Sequence, residues 1–166
     1  MRQKTPQKGF SLIELLIVVA IIGILSAIAT PKLLASKRAA NEGSAQASMR
    51  TIYGAEVVFQ STAGNGGFTD TPGLLAVNMV DPVLGGATTA ANAKSGYVFV
   101  AVADNAASPK NFYAKAEPSN TGALTRTGHR SFCIADDAII RGKVSDTGPT
   151  TYAIATTTAT WPPLGN

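Results

Sequence analysis

The chain has 166 residues, 45% hydrophobic and 14% charged, with a formal net charge of +4 and one cysteine. A single cysteine excludes an intrachain disulfide, and the length suits one globular domain once an apolar N-terminal segment is set aside. The pI of 9.4 would suit a nucleic-acid binder. Without Arg2, Lys4 and Lys8, however, the formal charge of +4 falls by three to +1, so no direct nucleic-acid site is expected.

From Phe10 to Ala29 the chain is an apolar run with one carboxylate, Glu14, near its start. As a helix rising roughly 1.5 Å per residue, these about twenty residues would span about 30 Å, the hydrocarbon thickness of a bilayer. A carboxylate near the centre of such a span costs about 2.5 to 3.5 kcal/mol on insertion scales, and less towards its end, so Glu14 calls for a cationic partner. Cleavage after Gly9 would supply one. The basic leader would be lost and Phe10 would carry an α-amine, with an ordinary pKa of about 8, roughly one helical turn from Glu14 of its own chain and within reach of Glu14 on a neighbour. Pairing between chains would fix the axial stagger of packed helices.

The order of a short basic leader, Gly9, Phe10, Ser11-Leu12-Ile13, Glu14 and the apolar stretch Leu15 to Leu25 resembles the class III signal of type IV pilins and type II secretion pseudopilins. The resemblance covers roughly the first third of the chain. It implies that a membrane-embedded prepilin peptidase cuts between Gly9 and Phe10 and methylates the new amine of Phe10. It also implies that Glu14 is the filament-assembly carboxylate. Partners would be further copies of the chain in a helical homopolymer, the prepilin peptidase, a pilus or secretion assembly machinery, and the inner membrane before assembly. Two other readings fit a basic start and an apolar core. An ordinary signal peptide cut after Ala27-Ile28-Ala29 would release a soluble domain at Thr30. It is opposed by the carboxylate and by a run longer than the usual about 7 to 15 residues. An uncut single-span anchor is the other. Lys32, Lys37 and Arg38 follow the span as closely as the leader precedes it, so charge does not fix the orientation.

Beyond the span the helix is expected to continue. Pro31 should kink or loosen it by removing a backbone donor and crowding the carbonyl one turn earlier. From Lys32 to about Gln60, Met49, Ile52, Tyr53, Val57 and Phe59 gather on one broad face suited to a sheet. Glu56 falls within that face by angle, and Gly43 and Gly54 weaken the helical pattern. Residues 61–95, with Asn65-Gly66-Gly67, Thr71-Pro72-Gly73 and Gly85-Gly86, read as a long loop with short structured pieces. Strands are predicted at 97–103, 111–117, 130–135 and 138–143, with Asp136-Asp137 at the tip of a hairpin joining the last two, and a fifth extended piece at 152–155. Alternation places Phe132 and Ile134 on one side of the third strand and Cys133 on the other.

The expected fold class is therefore α+β and pilin-like. A long N-terminal α-helix, its first half transmembrane, packs on an antiparallel sheet of about four strands. The expected organisation is a leader at 1–9, a transmembrane and filament-core helix at 10–30, an amphipathic continuation at 31–60 and a globular head at 61–166. Many pilins close the C-terminal region with a disulfide, which this chain cannot do, so packing must hold that segment. Cys133 reads as a small buried hydrophobe, and His129, the lone histidine, as a solvated turn residue. Asp136, Asp137 and Asp146 are candidate calcium ligands by resemblance to some pseudopilins, but their spacing matches no EF-hand loop. No catalytic residue, metal site or cofactor is expected, because no phosphate loop, zinc motif or nucleotide fingerprint is present. The function classes are a type IV pilus subunit serving adhesion, twitching motility or DNA uptake, a type II secretion pseudopilin, and a secreted soluble domain.

Overall fold

The computed structural model describes residues 9–164; Arg2, Lys4 and Lys8 of the expected leader lie outside them. The chain divides into two compact units, residues 1–36 and 37–166. Helix α1, Leu12–Ser61, belongs to both and is continuous through Pro31, Gly43 and Gly54. The head unit adds α2 (Thr71–Ala76), α3 (Pro82–Gly85), a 3-10 turn (Ala90–Asn92), strands β1 (Tyr97–Asp104), β2 (Asn111–Pro118), β3 (Arg130–Ala135) and β4 (Arg141–Val144), and α4 (Tyr152–Thr156). The strands form one antiparallel sheet in the order β1-β2-β3-β4. The fold is the expected α+β arrangement of a long helix and a four-stranded antiparallel sheet.

Within the head unit, Ala45, Met49 and Ile52 of α1 are fully buried and Ala55 nearly so. They pack in one cluster with Tyr97, Phe99 and Ala101 of β1, Ala114 and Ala116 of β2, and Phe132 and Ile134 of β3. Spacings of three and four residues keep 45, 49, 52 and 56 on one helix face. Val57, expected on that face, is 41% exposed, because one residue further along turns the side chain by about 100°.

A polar clamp fixes the same helix to the start of β3. Glu42 Oε1 accepts the His129 N–H and Oε2 accepts Arg130 Nε, both at 2.9 Å. One turn earlier, Arg38 donates to the carbonyls of Arg126 and Ala123, and the Asn41 amide donates to the carbonyl of Thr127 at 2.9 Å.

The 61–95 excursion contains short helices started by aspartate caps. Asp70 accepts the Gly73 N–H at 2.8 Å and Asp81 that of Leu84 at 3.0 Å, each with a proline in the first turn. The excursion also closes the outer edge of β1, where Phe99 N–H donates to the Ala87 carbonyl and Ala101 N–H to the Thr71 hydroxyl.

Two expectations are corrected. The fourth strand begins at Arg141, not at residue 138, because Ala138 has φ 61° and the Asp137 carboxylate takes up the Ile139 N–H. Residues 152–155 are helical. The Thr151 hydroxyl accepts the Ile154 N–H at 3.3 Å, so a local cap overrides the extended preference.

The far face of the sheet is covered by the C-terminal segment. Cys133 and Ala135 project there as alternation requires, and form a second cluster with Tyr113, Ala155 and Trp161. The tail then adds to the outer edge of β4: Gly142 N–H donates to the Pro162 carbonyl and Leu164 N–H to that of Ile140. Trp161 is only 3% exposed, so truncating it should remove the main apolar anchor of this closure. Trp161→Ala is expected to cost about 3 to 5 kcal/mol, measured as a fall in the urea or thermal midpoint of the full chain in detergent. A loss below about 1 kcal/mol would mean that the tail is held by its backbone bonds alone.

Candidate functional site

Gly9 and Phe10 lie one residue ahead of α1. Ser11 is the last residue before the helix, and its carbonyl accepts the first helical bond from Leu15 N–H at 3.3 Å. Glu14, three residues on, turns back so that Oε2 accepts the Ser11 N–H at 3.4 Å. The order Ser11-Leu12-Ile13-Glu14 is that of a capping box, whose acid faces the helix start. The carboxylate is thus aimed at the end of the chain that cleavage after Gly9 would create. Among the described residues the ion pairs involve other acids, and none involves Glu14.

Among the described residues, no atom lies within 4 Å of where a Cβ on Gly9 would be. Phe10 is 89% exposed.

Downstream, an 18-residue window within α1 reaches a mean hydropathy of 2.8 with none of it buried. The helix is long and apolar enough to cross a membrane. Its apolar side chains from Leu12 to Leu33 are exposed among the described residues. At Pro31 the backbone lacks a donor, and the preceding Thr30 hydroxyl donates to the Ser26 carbonyl at 2.8 Å.

The three aspartates singled out in the sequence each have another partner. Asp137 makes a two-point pair with Arg141 at 2.6 and 3.1 Å. Burial raises its carboxyl pKa, but the Arg141 hydrogen bond, the Ile139 N–H and the Arg141 charge together outweigh this and hold it below the usual carboxylate range. Asp136 accepts the Tyr152 hydroxyl at 2.7 Å, and that bond pushes the phenol up to about 12. Asp146 pairs with Arg126 at 2.8 Å. Among the described residues no group of three acidic, histidine or cysteine side chains converges as a metal site would require.

His129 is drawn into the helix clamp through its N–H, and its ring Nε2 lies 3.3 Å from an Arg38 guanidinium nitrogen. Cys133 is fully buried, and burial pushes its thiol up to about 12, which leaves it unreactive at neutral pH. The sequence reading did not single out Glu42, although it lies on the 45, 49, 52 face at helical spacing and could have been found there.

Residues 4–30 match the prokaryotic N-terminal methylation motif. The type IV major pilin protein PilA of Myxococcus xanthus is 44% identical over 54 residues, 32% of this chain and 24% of that protein. The type IV wide pilus major component PilA4 of Thermus thermophilus is 63% identical over 35 residues, 21% of this chain and 27% of that protein. The matches span about a quarter of the length of these relatives. No solved structure matches the chain. What this chain shares with these type IV major pilins is the N-terminal methylation motif at the start of a membrane-capable helix.

Asp137 is a structural partner of Arg141, whose side chain is 3% exposed. Asp137→Ala would strand that buried cation and should cost about 3 kcal/mol. Calcium at millimolar concentration should leave the thermal midpoint of the unmodified chain unchanged. A calcium-dependent rise lost in Asp137→Ala would instead mark a metal site.

Proposed function

We propose that this chain is the structural subunit of a type IV pilus. It is held in the inner membrane by residues 10–30, cut by prepilin peptidase between Gly9 and Phe10, methylated on the Phe10 amine, and polymerised through α1. The observation that carries this reading is the uncovered apolar helix with a single carboxylate, Glu14, turned towards the end that cleavage would free. Lipid can cover such a surface before assembly, and helices of other copies can cover it afterwards.

In the filament the new amine pairs with Glu14 of an adjacent subunit. Burial and dispersion along the apolar helix supply most of the cohesion, and the charge pair sets the register. Pro31 gives a site at which the helix can loosen during assembly, since one ladder bond is already missing there. The head unit faces outward, where attachment, twitching movement and DNA capture would take place. The assembly machinery is that of a pilus. A pseudopilus built by type II secretion would use the same N-terminal residues.

Intact-mass and N-terminal analysis of protein sheared from cells should show a chain starting at methylated Phe10. The same terminus confined to the membrane fraction would favour the pseudopilus, and a start at Thr30 would overturn the filament reading. Glu14→Ala should be cleaved normally but yield few or no filaments by electron microscopy. Gly9→Val should accumulate as the uncut precursor, since a bulky side chain beside the scissile bond should block cleavage.

A further inference from the structure

Residues Phe68 to Thr71 form a strap that is stitched to two parts of the head unit. The Asn105 side-chain amide bonds both the N–H and the carbonyl of Phe68, each at 2.9 Å. The Thr71 hydroxyl accepts the Ala101 N–H at 2.9 Å and so closes the edge of β1. Between these points the Thr69 N–H donates to Glu56 Oε2 at 3.1 Å. The bonds through Asn105 and Thr71 join neutral groups. Only the one to Glu56 involves an ionisable group.

Glu56 is fully buried on α1, and its second oxygen, Oε1, has no hydrogen-bond partner. None of the ion pairs among the described residues includes it. The charged group that acts on it is Asp70, at the head of α2, whose like sign disfavours ionisation; from the sheet side the core is apolar. A buried carboxylate with one donor is far from satisfied, whereas the neutral acid needs much less.

We propose that Glu56 is a protonation latch: as the neutral acid it seals the Phe68 to Thr71 strap over α1 and the β1 edge, and as the carboxylate it opens the strap to admit water. The strap is the part that yields because the other neighbours of Glu56 belong to a helix and a packed sheet core, which open less readily than a surface segment. Desolvation raises the acid to about 7, with the Thr69 bond opposing and Asp70 adding to the shift.

In the open state Glu56 returns towards its ordinary value of 4.5. Because the closed state holds the proton more tightly, closure is strongest below the open-state value, weakens as pH rises to the closed-state value, and levels off above it. Between pH 5.5 and 8.5 the opening equilibrium should rise about 30-fold.

Hydrogen exchange of the full chain in detergent micelles, corrected for intrinsic exchange, tests this at the Thr69 and Ala101 amides. The expected result is that about 30-fold rise in opening at both amides. Glu56→Gln, which keeps an acceptor and cannot ionise, should abolish the pH dependence. A carbon-13 carboxyl titration of the unmodified protein needs no variant, and a Glu56 midpoint near neutrality would support the latch. A midpoint in the ordinary glutamate range, or exchange at these amides that is flat with pH, would overturn it.

Discussion

Helix α1 has to satisfy two kinds of surroundings along its length, and the rest of the chain is arranged around that requirement. From Leu12 to Leu33 it is predominantly apolar, and among the described residues its large apolar side chains are exposed. From Glu42 onward only one face is turned inward, through residues 42, 45, 49, 52 and 56. The sheet meets that face with small residues: Ala101 lies opposite Ala114 and Phe99 opposite Ala116 across β1 and β2. These alanines make a shallow floor for Met49 and Ile52, and the rings of Tyr97, Phe99 and Phe132 contribute bulk to the same core. The polar clamp at Glu42 then fixes the helix axially, because two oxygens of one carboxylate bind the His129 backbone N–H, just ahead of β3, and the guanidinium of Arg130, its first residue.

Closure of the C-terminal region without a disulfide follows from similar economy. An engineered or native disulfide typically contributes about 2 to 4 kcal/mol, and a buried tryptophan side chain is of the same order. Trp161 under the sheet, the backbone bonds from Gly142 and Leu164, and the Tyr152 to Asp136 bond fasten the tail at several points along its length. Arg141 links these parts. Its guanidinium is buried beside the hairpin turn, where Asp137 and the Ile139 carbonyl accept from it.

The helix and the four strands were legible in the sequence because their signals are local: hydrophobic run length, alternation, and bounding turn residues. β3, with Phe132 and Ile134 inward and Cys133 outward, follows from alternation alone. What escaped depended on one polar contact at a time. The Thr151 cap turned 152–155 into a helix, and the Asp137 side chain delayed β4 to Arg141. The candidate processing residues Gly9, Phe10 and Glu14 were legible for a different reason, since a carboxylate in an apolar run is anomalous whatever the fold. Glu42 and Arg38 were hidden because a charged residue on a helix reads as solvated until its partners, about ninety positions away in sequence, are known.

The two carboxylates at opposite ends of α1 show how one side chain type takes on different roles. Glu14 is exposed, touches only the Ser11 N–H, and sits where no charge in the described chain neutralises it. An acid so placed in a membrane-capable helix would be stabilised by a cation, which in the proposed filament is the new amine of a neighbouring copy. Glu56 is enclosed by its own chain with one donor and a like-charged neighbour. Bringing it a cation would require opening the core, so its least costly response is to keep its proton. Solvent access, more than residue identity, separates the two: in the proposed readings the first carboxylate would direct how copies meet, while the second would direct only how one copy opens.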